Sequence, residues 1–223
     1  MDTKLLIQAI TKYFCGLILV GLIIFIPAWS LSYWQGWLLM GILFIPMFFA
    51  GLVMFVKSPE LLRSRLNGRE KLDEQKSVII FSGIMFIASF IVAGLNFRFK
   101  WIVLPTAVPI IASIIFLIGY ILYAEVLREN SYLSRTIEVQ ENQKVVDTGL
   151  YGIVRHPMYM TTLILFFSMP FVLGSIISFI IMSAYIPILN KRMKNEEKFL
   201  IVNLAGYHDY MQKVKYRVIP YIW

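Results

Sequence analysis

Four long apolar segments dominate the first half of the chain. They lie at about residues 10–30, 36–56, 77–96 and 102–123, and they are rich in Ile, Leu, Phe, Val and Met. A helix needs about 20 consecutive, mostly apolar residues to cross the hydrocarbon core of a bilayer. The pattern therefore predicts four transmembrane helices, of which the first is expected to stay as an uncleaved span.

A fifth apolar stretch runs from Met158 to Leu189 and is interrupted by Pro170 and Gly174. It is too long for one simple span, so we expect a helical hairpin. Each limb is short for a complete crossing, and both a full double crossing and a shallow or tilted hairpin stay open. Either hairpin brings the polar segments before Met158 and after Leu189 to the same membrane face.

Basic residues indicate which face this is. The loop from Lys57 to Lys76 is rich in Lys and Arg, whereas the connectors near residues 31–36 and 96–101 are short. Cytoplasmic loops carry the excess of basic residues. We therefore expect the loop, the N-terminus and the basic tail after residue 190 to lie in the cytosol.

Composition agrees with an all-α, polytopic membrane protein. Of 223 residues, 59% are hydrophobic and 15% charged, and the mean hydropathy is +0.73. The net charge of +8 is typical of basic residues that flank membrane spans and face membrane lipids, so no nucleic-acid partner is expected. With one cysteine and two histidines, the chain offers no obvious metal site.

Two polar clusters flank the predicted hairpin. The first, residues 147–159, contains Gly149 and Gly152, which allow a close backbone approach to a ligand, and then Arg155-His156-Pro157. The second, residues 190–197, places Arg192 and Glu196 four residues apart on one helix face. Taken singly, each of these residues is explained by an interfacial or solvated position as well as by a role in binding or catalysis.

In their order along the chain, these motifs resemble the isoprenylcysteine carboxyl methyltransferase family and, more broadly, the membrane phospholipid methyltransferases. The resemblance covers roughly residues 130–223 and rests on Arg155-His156-Pro157-Met158-Tyr159 followed by Glu196-Glu197 and Leu200. The chain departs from the family pattern at Thr161, where Gly is frequent, and at Leu150, where many bacterial relatives have Pro.

The resemblance implies an S-adenosylmethionine (SAM) site. Arg192 and Tyr151 would lie on the substrate side as catalytic residues. The cofactor would be bound by residues on both sides of the hairpin: Gln143, Lys144, Val145, Val146, His156, Pro157, Met158, Tyr159 and Glu196. The full prediction is thus four transmembrane helices in residues 1–125 and a methyltransferase-like region in residues 126–223, which contains the hairpin 158–189 and a cofactor-binding subdomain facing the cytosol.

The expected function is SAM-dependent methyl transfer to a lipophilic acceptor from the bilayer, by carboxyl O-methylation of the isoprenylcysteine type. The expected location is a multi-pass position in a membrane, which in a bacterium is the plasma or inner membrane. Three alternatives stay open: a phospholipid N-methyltransferase, a membrane NADPH-dependent sterol or enone reductase, and a non-catalytic membrane protein. The sequence fixes neither the acceptor nor the oligomeric state.

Overall fold

A computed structural model describes residues 3–67, 73–134 and 136–223 of the chain. Within them the structure is helical, with no strand. Arg69 and Lys71 of the predicted basic loop lie outside the described residues. The elements are α1 (Thr3–Ala28), α2 (Trp34–Lys57), α3 (Pro59–Leu66), α4 (Asp73–Phe99), α5 (Ala107–Glu129), a 3₁₀ turn (Gly149–Gly152), α6 (Pro157–Val172), α7 (Ile176–Met182), α8 (Tyr185–Asn203) and α9 (Tyr207–Lys213).

Five stretches of the described chain are long and apolar enough to cross a membrane: α1, α2, Lys76–Phe99 of α4, α5, and the combined α7–α8 segment Ile176–Asn203. The prediction of an all-α, multi-pass membrane protein is thereby confirmed.

The fourth span begins at Ala107 rather than near residue 102. Asn96 explains this difference, because its side-chain amide donates to the Ile102 carbonyl at 2.9 Å and accepts from the Ile102 amide at 3.1 Å. These bonds hold the connector outside the helix.

Gly94 allows α4 to cross α1 at short range. A Cβ atom at this position would lie 2.7 Å from the Ile24 carbonyl oxygen and 3.0 Å from the Ala28 amide nitrogen, both of which are backbone atoms. Small residues at helix contacts are the usual means of close packing in membrane proteins. Helix α1 is therefore held tightly against α4, the helix on which the returning limb of the hairpin packs.

We expect Gly94→Ala to lower the free energy of unfolding by about 1–3 kcal/mol, because the added methyl group overpacks a rigid backbone contact. Thermal unfolding of the purified protein in detergent measures the change. Gly83→Ala is the matched control, since it lies on the same helix and its added Cβ would meet nothing within 4 Å. Equal losses in the two variants would show that the α1–α4 crossing does not depend on Gly94.

The hairpin extends through the full depth of the bundle. Gly174, with a φ of 70°, forms the turn between α6 and α7. The Tyr33 hydroxyl donates to the Leu173 carbonyl at 2.6 Å, and the Asn96 amide donates to the Gly174 carbonyl at 3.4 Å. The tip therefore lies beside the two short connectors, which favours the full double crossing over the shallow hairpin.

The returning limb of the hairpin packs against α4. The hydroxyls of Ser89 on α4 and Ser178 on α7 lie 2.6 Å apart, and the Ser178 hydroxyl donates to the Ser89 carbonyl at 2.8 Å. After a break at residues 183–184, α8 continues the same span, Ile176–Asn203, away from the hairpin tip. The polar segments before α6 and along α8 consequently meet at the end of the bundle opposite the tip.

Candidate cofactor cavity

A buried carboxylate joins the two flanks of the hairpin. Glu197 on α8 is 4% exposed. Its Oε1 accepts a hydrogen bond from Arg155 Nε at 2.9 Å and lies 3.3 Å from His156 Nε2, and its Oε2 accepts from Arg217 Nη2 at 2.8 Å. A buried charge needs such pairing and hydrogen bonding to offset its lost hydration. Glu197 and the three residues around it, Arg155, His156 and Arg217, are called the ionic centre of the site below.

Arg155 also fastens the C-terminal segment to the site. Its Nη1 donates to the carbonyls of Val214 and Lys215, both at 2.8 Å. The backbone amides of Arg155 and His156 donate to the carbonyls of Tyr216 and Arg217 at 2.9 and 2.8 Å. The arginine of the Arg-His-Pro motif therefore has a structural role, because it joins Glu197 of α8 to the C-terminal segment.

The neighbouring residue, Glu196, belongs to a second chain of hydrogen bonds. Arg192 Nε donates to the Tyr159 hydroxyl at 2.8 Å, and this hydroxyl donates to Glu196 Oε2 at 2.5 Å. Tyr159 lies in the first turn of α6, and the two charged residues lie on α8. The contact therefore brings three of the predicted site residues together from both flanks.

These side chains face a cavity with about 830 Å³ of empty space, which includes its mouth open to solvent. All of the predicted site residues line it: Gln143, Lys144, Val145, Val146, Tyr151, His156, Pro157, Met158, Tyr159, Arg192 and Glu196. The structure therefore places the eleven together, and their individual roles stay predictions. The same wall includes the apolar side chains of Leu200 and Leu204.

Tyr151 is held rigidly in this wall. Its hydroxyl accepts from Asn130 Nδ2 at 2.9 Å, and its carbonyl accepts from the Tyr210 hydroxyl at 2.7 Å. Burial raises the pKa of the Tyr151 phenol above its ordinary value. Tyr151 therefore stays protonated at neutral pH and is poorly suited to act as a general base.

The loop that leads to Tyr151 depends on Gly149. This residue has a φ of 51°, and Glu129 Oε2 accepts the Leu150 amide at 3.0 Å. A Cβ on Gly149 would lie 1.4 Å from Glu129 Oε1. The glycine predicted to allow a close approach thus makes room for a carboxylate of the protein itself at the end of α5.

Arg65 brings the short helix α3 to the edge of the cavity. Its guanidinium donates to the Tyr123 hydroxyl, donates to the Ser134 carbonyl at 3.3 Å and lies 4.0 Å from Met158 Sδ. Ser134 and Met158 are cavity-lining residues. Helix α3, the described N-terminal part of the basic loop predicted to be cytosolic, therefore lies at the same end of the bundle as the cavity.

Sequence reasoning missed the separate roles of the two adjacent glutamates. The buried residues of α8 recur every four positions, at Tyr185, Leu189, Met193 and Glu197. This spacing is the period of one helix face. Extending the apolar stripe to Glu197 would have indicated that this glutamate points inward.

The fold and the cavity define a class: a multi-pass, all-α membrane protein with a polar site at one end of its helical bundle, closed by the two flanks of a hairpin. The sequence pattern of the isoprenylcysteine carboxyl methyltransferase (ICMT) family matches residues 110–202, which confirms the resemblance. The matched region includes α6 and nearly all of α8, and so contains Tyr159, Arg192 and Glu196. It supports a methyltransferase function. No curated protein matches the chain.

Proposed function

We propose that this protein is an integral membrane, SAM-dependent methyltransferase that methylates the carboxylate of a lipophilic acceptor drawn from the bilayer, as in isoprenylcysteine carboxyl methylation. The observation that carries the proposal is the meeting of the two hairpin flanks around one cavity, through the Arg192–Tyr159–Glu196 contacts. The proposed membrane face is the cytosolic one, because α3 with its two arginines lies at this end.

The chemistry of the cavity wall fits SAM. The cofactor combines a sulfonium cation, an amino acid end, a ribose and an adenine ring. Glu196 supplies a carboxylate for a cation or for ribose hydroxyls, Val145 and Leu200 supply apolar surface, and Lys144 can pair with a carboxylate. In addition, the buried Tyr207 hydroxyl in this wall has no hydrogen-bond partner among the described residues.

When bound, SAM supplies a methyl group on a positively charged sulfur that an oxygen nucleophile can attack. Of the eleven predicted residues, the segment 143–146 and the motif His156 to Tyr159 would hold it together with Glu196. The acceptor carboxylate is already ionised at neutral pH, so the protein needs no general base. Its contribution is alignment and removal of water from the carboxylate.

Arg192 is the residue we assign to orienting the acceptor. A guanidinium recognises a carboxylate through two parallel hydrogen bonds, which fixes the direction of the attacking oxygen. The bond from Arg192 Nε to the Tyr159 hydroxyl holds the arginine in place, and the bond from that hydroxyl to Glu196 links it to the cofactor side.

An amine acceptor, as in phospholipid N-methylation, would require a base to remove a proton. Tyr151 is unsuited because burial raises the pKa of its phenol. Glu197 is occupied by two arginines and lies beside His156. Glu196, whose Oε2 accepts from the Tyr159 hydroxyl, is then the candidate base left for an amine, whereas the carboxylate acceptor that we propose needs no base. The carboxylate of Glu196 in the cavity also disfavours the 2′-phosphate of NADPH, which a reductase would need.

Membranes that contain the protein are expected to transfer a radiolabelled methyl group from SAM to a lipid-extractable product, and mild base should release the label because the product is an ester. Membranes that contain Arg192→Ala are the control and should give background counts. A base-stable label would indicate N-methylation, and no label above background with any lipophilic acceptor tested would contradict the proposal.

A further inference from the structure

Tyr207, the first residue of α9, carries an unusual hydroxyl group. The residue is 4% exposed and lines the cavity, and its hydroxyl has no hydrogen-bond partner among the residues that the structure describes. A buried tyrosine hydroxyl normally finds a partner, because an unpaired polar group in the interior is costly. The missing partner therefore requires an explanation.

The other tyrosines of the cavity wall differ from Tyr207 in this respect. Each of the other four has a partner for its hydroxyl: Tyr132 with the Asn142 carbonyl, Tyr151 with Asn130, Tyr159 with Glu196 and Arg192, and Tyr210 with the Tyr151 carbonyl. Tyr207 thus differs from side chains of the same type in the same wall.

The ring of Tyr207 is held in a fixed place. Gly206, with a φ of 83°, turns the chain into α9, and the Tyr207 amide donates to the Leu204 carbonyl at 3.2 Å. The ring packs against Tyr210, with 5.7 Å between the ring centres, in a small apolar cluster that also contains Leu204 and Val214. The hydroxyl is therefore positioned in advance of any ligand.

Electrostatics indicate what this hydroxyl can do. Burial, followed by the nearby carboxylates of Glu196 and Glu197, raises the pKa of the Tyr207 phenol far above its ordinary value. The group stays neutral at every physiological pH and keeps its proton to donate. A neutral phenol has one proton to donate and lone pairs that can accept, so its partner in a complex is a polar ligand atom, such as a ribose hydroxyl, a carboxylate oxygen or a ring nitrogen.

We propose that Tyr207 is a cofactor-binding residue whose hydroxyl forms a hydrogen bond with a polar atom of the SAM bound against Glu196. This inference rests on the proposed function, because it takes SAM as the ligand of the cavity. It adds α9, which lies beyond residues 110–202, to the elements that hold the cofactor.

The substitution Tyr207→Phe tests the proposal, because it removes the hydroxyl and keeps the ring. In the purified protein without ligand, its unfolding temperature should equal or exceed that of the wild type, since an unpaired buried polar atom is removed. Its affinity for SAM, measured by isothermal titration, should fall by about tenfold, which is the loss typical of one hydrogen bond in a buried site.

Tyr210→Phe is the matched control. It should lower the unfolding temperature without ligand, because it removes the bond to the Tyr151 carbonyl. Equal SAM affinity in the wild type and Tyr207→Phe would overturn the inference and leave the proposed function standing. So would a lower unfolding temperature in ligand-free Tyr207→Phe, since the hydroxyl would then have a partner within the protein. A wild type that binds no SAM would remove both claims.

Discussion

Arg192→Ala is expected to reduce methyl transfer by about 100-fold or more, because a reacting group that loses its alignment by as little as ~1 Å costs a reaction this much. The variant should stay folded and inserted in the membrane. Arg192 is only partly buried, and its contact with Tyr159 lies in the cavity wall rather than in the ionic centre around Glu197. Transfer of labelled methyl groups by the purified protein measures the loss.

Lys194→Ala is the control for this experiment. Lys194 is exposed on the same helix, α8, and does not line the cavity. Its replacement should leave the transfer rate unchanged. Glu196→Ala provides a useful comparison, because it should abolish transfer chiefly through lost SAM affinity, whereas Arg192→Ala should keep SAM affinity and lose the transfer step. Full activity in purified Arg192→Ala and in purified Glu196→Ala would remove the assignment of the site.

Glu197→Gln is expected to destabilise the protein by about 3–5 kcal/mol, which is the usual cost of leaving a buried charge without its partner. The substitution keeps the size of the side chain but removes the negative charge that Arg155 and Arg217 share. Both hairpin flanks and the C-terminal segment then lose their common anchor. Thermal unfolding in detergent without ligand should show the loss directly.

Glu196→Gln separates the effect of position from that of charge. Like Glu197→Gln, Glu196→Gln removes one negative charge and keeps the size of the side chain. Glu196, however, is partly exposed, and its described contact is with the Tyr159 hydroxyl. Its unfolding temperature should stay close to that of the wild type. If Glu197→Gln unfolded at the same temperature as Glu196→Gln, the description of Glu197 as the structural centre would be wrong.

The sequence could predict the membrane spans and the meeting of the two hairpin flanks, because each follows from a local pattern. Apolar runs of sufficient length give the spans, and the interruption at Pro170 and Gly174 together with the basic tail gives the hairpin. Once the hairpin exists, its flanks must lie at one membrane face. The resemblance adds eleven site residues, and the structure places all of them in the cavity wall.

The sequence could not predict contacts made between distant segments without a repeating pattern. The bond from Asn130 to Tyr151, the reach of Arg65 to Met158 and the unpaired hydroxyl of Tyr207 all depend on tertiary packing. Helix α3 was missed for another reason, since its eight residues are too few to span a membrane and their hydrophobic pattern is short. Proline at its first position marks where it begins.

Isothermal titration of the purified protein with SAM tests the central claim most directly, that the two hairpin flanks enclose one cofactor. We predict saturable binding at one site per chain, competition by S-adenosylhomocysteine and no binding of NADPH. The substitution Met158→Trp on one flank, or Leu200→Trp on the other, should fill the shared cavity and abolish binding in a protein that is still folded. Binding of NADPH instead of SAM, or SAM binding unaffected by both tryptophans, would contradict the account.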